Sequence, residues 1–176
     1  SAHKFNGAKG TGILYKRSGI DLSPLVFGGK QEYGLRAGTE NVASIVGMAV
    51  ALKNNIEALK TNQKKVKTLE RLLLDKLDEN QIPYIRNGAN QTLPGIISLS
   101  FDGKNGESIL HRMDLMGISI STGSACDSKS TEFSHVLKAI KMDERLAKGT
   151  IRISLGKDNS ADDVDAIVKA LIQIIK

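Results

Sequence analysis

The sequence predicts an α/β fold that ends in a small sheet covered by one layer of helices. Three observations carry this expectation. Residues 1–39 hold eight of the 17 glycines. Apolar residues then recur at helical spacing from about Asn41 to Leu77. Beyond residue 80, short alternating segments change places with amphipathic ones. The chain is accordingly divided into 1–40, a glycine-rich segment, 41–79, a connecting helix or helices, and 80–176, a small α/β domain.

In the first segment, Ile13-Leu14-Tyr15 and Leu25-Val26-Phe27 are short apolar runs between glycines, which read as strands and tight turns. Val42, Ile45, Val46, Ala49, Leu52, Ile56 and Leu59 then trace a helix. Val66, Leu69, Leu73 and Leu77 continue it, with a break expected near Thr61-Asn62. Pro83, Asn87-Gly88 and Pro94 mark turns. Ile97, Leu99 and Phe101 alternate with Ser98 and Ser100 as a half-buried strand does, and Asp102-Gly103 closes it. A helix is expected from Ser108 to Met116, a second short strand at Ile118 and Ile120, and another helix around Phe133 to Lys141. Ile151, Ile153 and Leu155 form a third strand with Arg152 and Ser154 on its other face. Ser160, with Asp163 three residues on, caps a terminal helix whose stripe runs through Val164, Ile167, Val168, Leu171 and Ile175.

Bulk properties narrow the function class. The 176 residues are 40% hydrophobic and 25% charged, as in an ordinary globular protein of one domain with an appendage. The formal charge is +6, but Lys60, Lys64, Lys65 and Lys67 share one helical stretch with Glu70 and Asp75. Without interleaved aromatic residues, that stretch reads as a solvated face and not as a nucleic-acid patch. No uninterrupted apolar run approaches the roughly 20 residues that span a bilayer. One cysteine cannot form an internal disulfide, which points to a reducing, cytoplasmic location. His3, His111 and His135 lack paired spacing and cysteine companions, so no metal site is expected.

Two segments carry chemistry. Cys126 sits in Ser121-Thr122-Gly123-Ser124-Ala125-Cys126-Asp127-Ser128, small and polar neighbours that favour an exposed loop over a packed core. A thiol placed there is available to react. Lys4 lies in Ser1-Ala2-His3-Lys4, before a glycine-punctuated turn. A positioned lysine amine condenses with carbonyl compounds. Read alone, a lone cysteine is often incidental and a lysine is usually a solvated surface residue.

Together with two more stretches, these segments change the reading. Gly28-Gly29-Lys30-Gln31-Glu32-Tyr33-Gly34-Leu35-Arg36-Ala37-Gly38-Thr39-Glu40-Asn41-Val42 is one, and Ile151-Arg152-Ile153-Ser154-Leu155-Gly156 is the other. In this order, over nearly the whole chain, the four motifs resemble those of cysteine desulfurases of the NifS/IscS type. These belong to the class V aminotransferase family of pyridoxal-phosphate enzymes. The resemblance implies the small carboxyl-terminal domain of a fold-type-I enzyme at 80–176, with 1–40 the remnant of a large cofactor-binding domain. It implies that Lys4 holds pyridoxal 5'-phosphate and acts as base, and that Ser1, His3 and Thr39 contact its phosphate. Thr39 would reach the cofactor of a partner subunit, as in a homodimer. Arg152 would bind the substrate carboxylate, and Cys126 would take the sulfur of L-cysteine as a persulfide.

The implied reaction yields alanine, and the sulfur passes to an acceptor protein for iron–sulfur cluster assembly or tRNA thiolation. Gln31, Glu32 and Arg36 would shape their loop without touching substrate. Ala8 stands where the family usually has proline, and Lys30 and Tyr33 replace the commoner glycine and arginine. Two other readings fit the same residues, a selenocysteine lyase of this family and a non-catalytic module that dimerises or docks acceptors. The chain opens inside a motif, as a fragment does, and by itself is expected to be inactive.

Overall fold

The computed structural model describes residues 1–88, 92–122 and 134–176. The chain forms two compact units, Ser1–Lys60 and Thr61–Lys176. They divide inside one helix, α1 (Val42–Glu79), and not at its two ends. α1 runs through Thr61-Asn62 without the expected break. The physical reason is that threonine and asparagine only weaken a helix, by well under the roughly 3 kcal/mol that proline imposes. The apolar stripe beyond them also has a core to enter, since Val66, Leu69, Leu73 and Leu77 are all buried.

In the first unit, the expected strands at 13–15 and 25–27 do not form. Val26 makes an isolated parallel bridge with Arg36, and Ile13, Leu14 and Tyr15 are exposed. A strand needs a neighbour for its N–H and C=O groups, and here only Val26 finds one. The first half of α1 also exposes Val42, Val46, Val50 and Ile56. α1 is long and apolar enough, by length and composition alone, to cross a membrane. A count of uninterrupted apolar residues missed this, because Lys53 and Glu57 interrupt the sequence without ending the helix.

The second unit contains a three-stranded antiparallel sheet in the order β1 (Ile85–Arg86), β2 (Ile96–Ser100), β3 (Thr150–Ser154). Between β2 and β3 lie α2 (Gly106–Leu115), α3 (His135–Ala139) and α4 (Glu144–Lys148), and α5 (Ala161–Ile175) follows β3. Among the described residues, the expected strict alternation of strand and helix is therefore replaced by a hairpin, three helices, a strand and a helix. β1 was read as turn because only two residues separate Pro83-Tyr84 from Asn87-Gly88. The expected strand at Ile118 and Ile120 reduces to one bridge, Ser121 to Arg152. Its two isoleucines are half-buried against the core, which explains their alternation without a ladder.

Register gives the sheet two unlike faces. β2 and β3 pair Ile97 with Ile153 and Leu99 with Ile151 on one face, and Ser98 with Arg152 and Ser100 with Thr150 on the other. The apolar face shares one core with the second half of α1, with Ile109 and Met113 of α2, and with Val164, Val168 and Leu171 of α5. At one end of the polar face, Ser100 and Thr150 meet Met142 and Leu146 of the α3–α4 segment. The capping box expected at α5 is present: Ser160 Oγ accepts from Asp163 N–H, and the Asp163 carboxylate accepts from Ser160 N–H. Those bonds, with Asn159, hold the Asp163 carboxyl below its usual range.

A buried carboxylate fixes the hairpin to α1. Glu70 is 6% exposed. Its Oε1 is paired with Arg86 Nη2 of β1, and its Oε2 accepts from Gly95 N–H at 2.7 Å, just before β2. Gly95 has φ +87°, and a Cβ there would lie 2.3 Å from Val66 Cγ1, so only glycine fits. Beside β1, burial and a hydrogen bond to Asp78 push the Tyr84 hydroxyl up to about 12.

Glu70→Ala should leave Gly95 N–H without its acceptor and Arg86 without its partner. A loss of about 2 kcal/mol is expected in denaturant unfolding of the chain. Glu70→Gln keeps an acceptor for Gly95 and should lose about half as much.

Candidate active site

Lys4 stands on a single 3-10 turn, Ala2–Phe5, fastened through its one buried residue, Ala2. Ala2 N–H donates to Thr11 O at 2.8 Å, and Ala2 O accepts from Gly7 N–H at 2.9 Å. Asn6 closes the turn in the left-handed region, with φ 67°. Gly7 is required, since a Cβ there would lie 2.7 Å from Ala2 Cβ. These bonds close the turn ahead of Ala8. Ser1, His3 and Lys4 are left exposed on it, and the Lys4 side-chain amine makes no hydrogen bond or ion pair among the described residues, its backbone N–H alone donating to Ser1 O at 3.3 Å. Its amine is therefore open to a carbonyl compound.

Sequence reasoning missed the residue that ties this turn to α1. Asn55 Nδ2 donates to Phe5 O, the residue after Lys4, and to Ala51 O, each at 2.8 Å. The available signal was an asparagine in the interior of a long helix, where it is a poor helix former.

Thr39 is exposed on the loop that leads into α1. Gln31 Oε1 accepts from Gly38 N–H at 3.2 Å, and Arg36 Nη1 donates to Ala37 O at 2.8 Å. Gln31 and Arg36 thus spend these groups on the loop itself. Glu32 and Tyr33 both take positive φ, 49° and 60°, ahead of Gly34 at 78°. Such backbone costs on the order of 1 kcal/mol for each residue bearing a Cβ.

Arg152 belongs to the second unit, on β3. Ile151 and Ile153, almost fully buried, anchor it from both sides along the strand. Its own backbone is held twice: it pairs with Ser98 on β2, and its N–H and C=O bond Ser121 at 2.6 and 3.0 Å. The side chain, half-buried, lies on the polar face. The structure therefore gathers Ser1, His3 and Lys4 on one turn, places Thr39 on a separate loop of the same unit, and carries Arg152 on the other unit. Cys126 lies outside the described residues, as does Phe133 of the third expected helix.

Comparison with known proteins decides what these motifs belong to. The aminotransferase class-V family matches residues 1–167. The chain belongs to the class-V aminotransferase family. It is 41% identical to a cysteine desulfurase IscS of Clostridium botulinum (strain Hall), over 100% of this chain and 45% of that protein. It is 40% identical to a putative cysteine desulfurase IscS 1 of Bacillus subtilis, over 100% of this chain and 47% of that protein. Among solved structures, a NifS-like protein superposes with TM-score 0.86 at 38% identity, covering 99% of this chain and 44% of that one. A structure of SspA in complex with cysteine matches at TM-score 0.65 and 32% identity, over 91% of this chain and 44% of that one. The chain spans less than half the length of the curated relatives it matches.

The class-V aminotransferase family uses pyridoxal 5'-phosphate. The groups on and just before the Ala2–Phe5 turn are of the kinds that could hold that cofactor: an amine at Lys4, unpaired among the described residues, which suits an aldehyde, and the exposed Ser1 hydroxyl and His3 imidazole, which suit a phosphate. Thr39 carries a further exposed hydroxyl on its separate loop.

Removing the Asn55 clip should loosen the lysine turn without unfolding α1. In Asn55→Ala, the Gly7 amide, whose bond closes the turn, should exchange with deuterium about three- to tenfold faster. Amides in β2 and β3 should be unaffected.

Proposed function

We propose that the chain is the carboxyl-terminal part of a pyridoxal-phosphate-dependent cysteine desulfurase, comprising the small domain of a fold-type-I enzyme, its connecting helix and the cofactor-lysine segment of the large domain. One observation carries the reading. An exposed lysine whose amine is unpaired among the described residues, on a fastened turn, and a strand-anchored arginine occur at the motif positions of a chain about 40% identical, along its whole length, to cysteine desulfurases.

Each side chain then has a task. Arg152 binds the carboxylate of L-cysteine; its planar guanidinium suits two parallel hydrogen bonds, and the strand gives it a fixed origin. Lys4 would hold the cofactor through its amine and would serve as the base that takes the proton from substrate Cα. When bound, pyridoxal phosphate supplies the electron sink for that deprotonation. Cys126, as thiolate, attacks the substrate sulfur: an S–S bond forms, the Cβ–S bond breaks, and its electron pair stays with the carbon framework. Protonation of that framework gives alanine, so no external oxidant or reductant is needed.

The persulfide on Cys126 serves an acceptor protein in iron–sulfur cluster assembly or tRNA thiolation, in a cytoplasmic homodimer where Thr39 serves the partner's cofactor. On this reading the 176 residues alone do not turn over cysteine. They supply the amine, the thiol and the arginine, while the ring-stacking group and the partner of the ring nitrogen lie elsewhere in the complete enzyme.

Reductive trapping tests the role of Lys4. Borohydride treatment of the complete protein, loaded with pyridoxal phosphate, should fix the cofactor's mass on the peptide containing Lys4. Lys4→Ala should lose both that adduct and alanine production. An adduct on another lysine, or substantial alanine formation by Lys4→Ala, would remove Lys4 from this role.

A further inference from the structure

The polar face of the sheet holds a hydrogen-bond chain whose polarity can be read from its end. Leu146 O can only accept, so the Thr150 hydroxyl, 3.0 Å away, gives it its proton. Met142 Sδ, 3.7 Å from both hydroxyls, is a weaker acceptor than that carbonyl, so with its proton on Leu146 O, Thr150 Oγ1 accepts from Ser100 Oγ at 2.6 Å, where the Ser100 proton is spent. Ser100 Oγ can therefore only accept from Asn87, whose Nδ2 lies 2.8 Å away. This fixes the orientation of the Asn87 amide, for a flipped amide would set two acceptors against each other. In that orientation Asn87 Oδ1 is buried with no partner among the described residues. Turning the amide to pair Oδ1 would break the bond from Nδ2 to Ser100, so the donor chain gives this unpaired acceptor its reason.

The consequence falls on Ser98. The second Nδ2 hydrogen of Asn87 is donated to Ser98 Oγ at 3.1 Å. Ser98 thus accepts from Asn87, and its own hydroxyl proton has no acceptor among the described residues. Ser98 is also the cross-strand partner of Arg152. Directly opposed residues of antiparallel strands carry their Cβ atoms on the same face, about 5 Å apart. A hydroxyl proton and a guanidinium, each with no acceptor among the described residues, therefore stand side by side, and both residues are half-buried.

We propose that Ser98 is a second donor to the carboxylate bound by Arg152, and that Asn87 is the positioning residue that keeps the Ser98 proton available for it. The inference rests on the reading of Arg152 as the carboxylate-binding residue. A carboxylate has about four acceptor positions, and a bidentate guanidinium uses two, leaving room for a hydroxyl at the side. The arrangement selects an α-amino acid over the corresponding amine, since the amine offers nothing for either residue to bind.

The test uses the complete, cofactor-loaded protein with L-cysteine. Ser98→Ala should raise KM about tenfold, with kcat within twofold of the parent value, as expected for a lost hydrogen bond to a charged group. Ser98→Thr, which keeps the hydroxyl, should restore KM. Calorimetric binding of the product L-alanine should weaken by the same factor in Ser98→Ala. Asn87→Ala should raise KM in the same direction, and Asn87→Ala combined with Ser98→Ala should add little to Ser98→Ala alone. If Arg152→Ala raises KM while Ser98→Ala leaves both KM and L-alanine binding unchanged, this inference fails and the Arg152 reading stands. If Arg152→Ala leaves KM unchanged, the carboxylate reading fails and this inference with it.

Discussion

The second unit depends on one buried carboxylate. Glu70 faces the sheet from α1 and meets both Arg86 and Gly95, the two sides of the β1–β2 hairpin. A carboxylate taken out of water is tolerated only when its oxygens are paired, and here both are. Because Gly95 directly precedes β2, its bond to Glu70 sets where β2 begins. That start fixes which residues of β2 face the core, since a slip of one residue would exchange Ile97 and Leu99 for Ser98 and Ser100. The register of β2 in turn sets β3, and with it the face on which Arg152 stands.

The helix that supplies Glu70 also supplies Asn55. One continuous segment thus contributes a polar clamp to each unit: Asn55 to the turn carrying Lys4, and Glu70 to the sheet carrying Arg152. Both are polar residues in a helix whose own stability needs neither. Their use lies in what they hold. The same economy appears on the polar face of the sheet, where the chain from Asn87 through Ser100 and Thr150 ends on a carbonyl of α4 and leaves Ser98 with a proton to give.

Much of this was legible in the sequence where period and chemistry coincide. The alternation of Ile97, Leu99 and Phe101, and of Ile151 and Ile153, placed β2, β3 and the outward position of Arg152. Ser160 and Asp163 announced the start of α5 through capping chemistry that is local by nature. Tertiary circumstances were not legible. Ile85–Arg86 is a strand only because Leu99 and Ser100 lie beside it. Ile118 and Ile120 alternate because they pack on the core, not because they belong to a ladder. The runs at 13–15 and 25–27 had the composition of strands but largely lacked partners. At the site, Lys4, Arg152 and Cys126 stand out only through the family order of their motifs, not through residue type alone. Asn55 and Ser98 bond partners distant in sequence; an asparagine inside a long helix hints at the first, and no local pattern announces the second.

The central claim is that this chain carries the sulfur-accepting thiol and the lysine base of a desulfurase. Its most direct test is one turnover of the complete, cofactor-loaded protein with L-cysteine, with alanine quantified and the peptide containing Cys126 weighed by mass spectrometry. The account predicts one added sulfur atom on Cys126 for each alanine released. Alanine released without sulfur on Cys126, or sulfur carried by another residue, would contradict it.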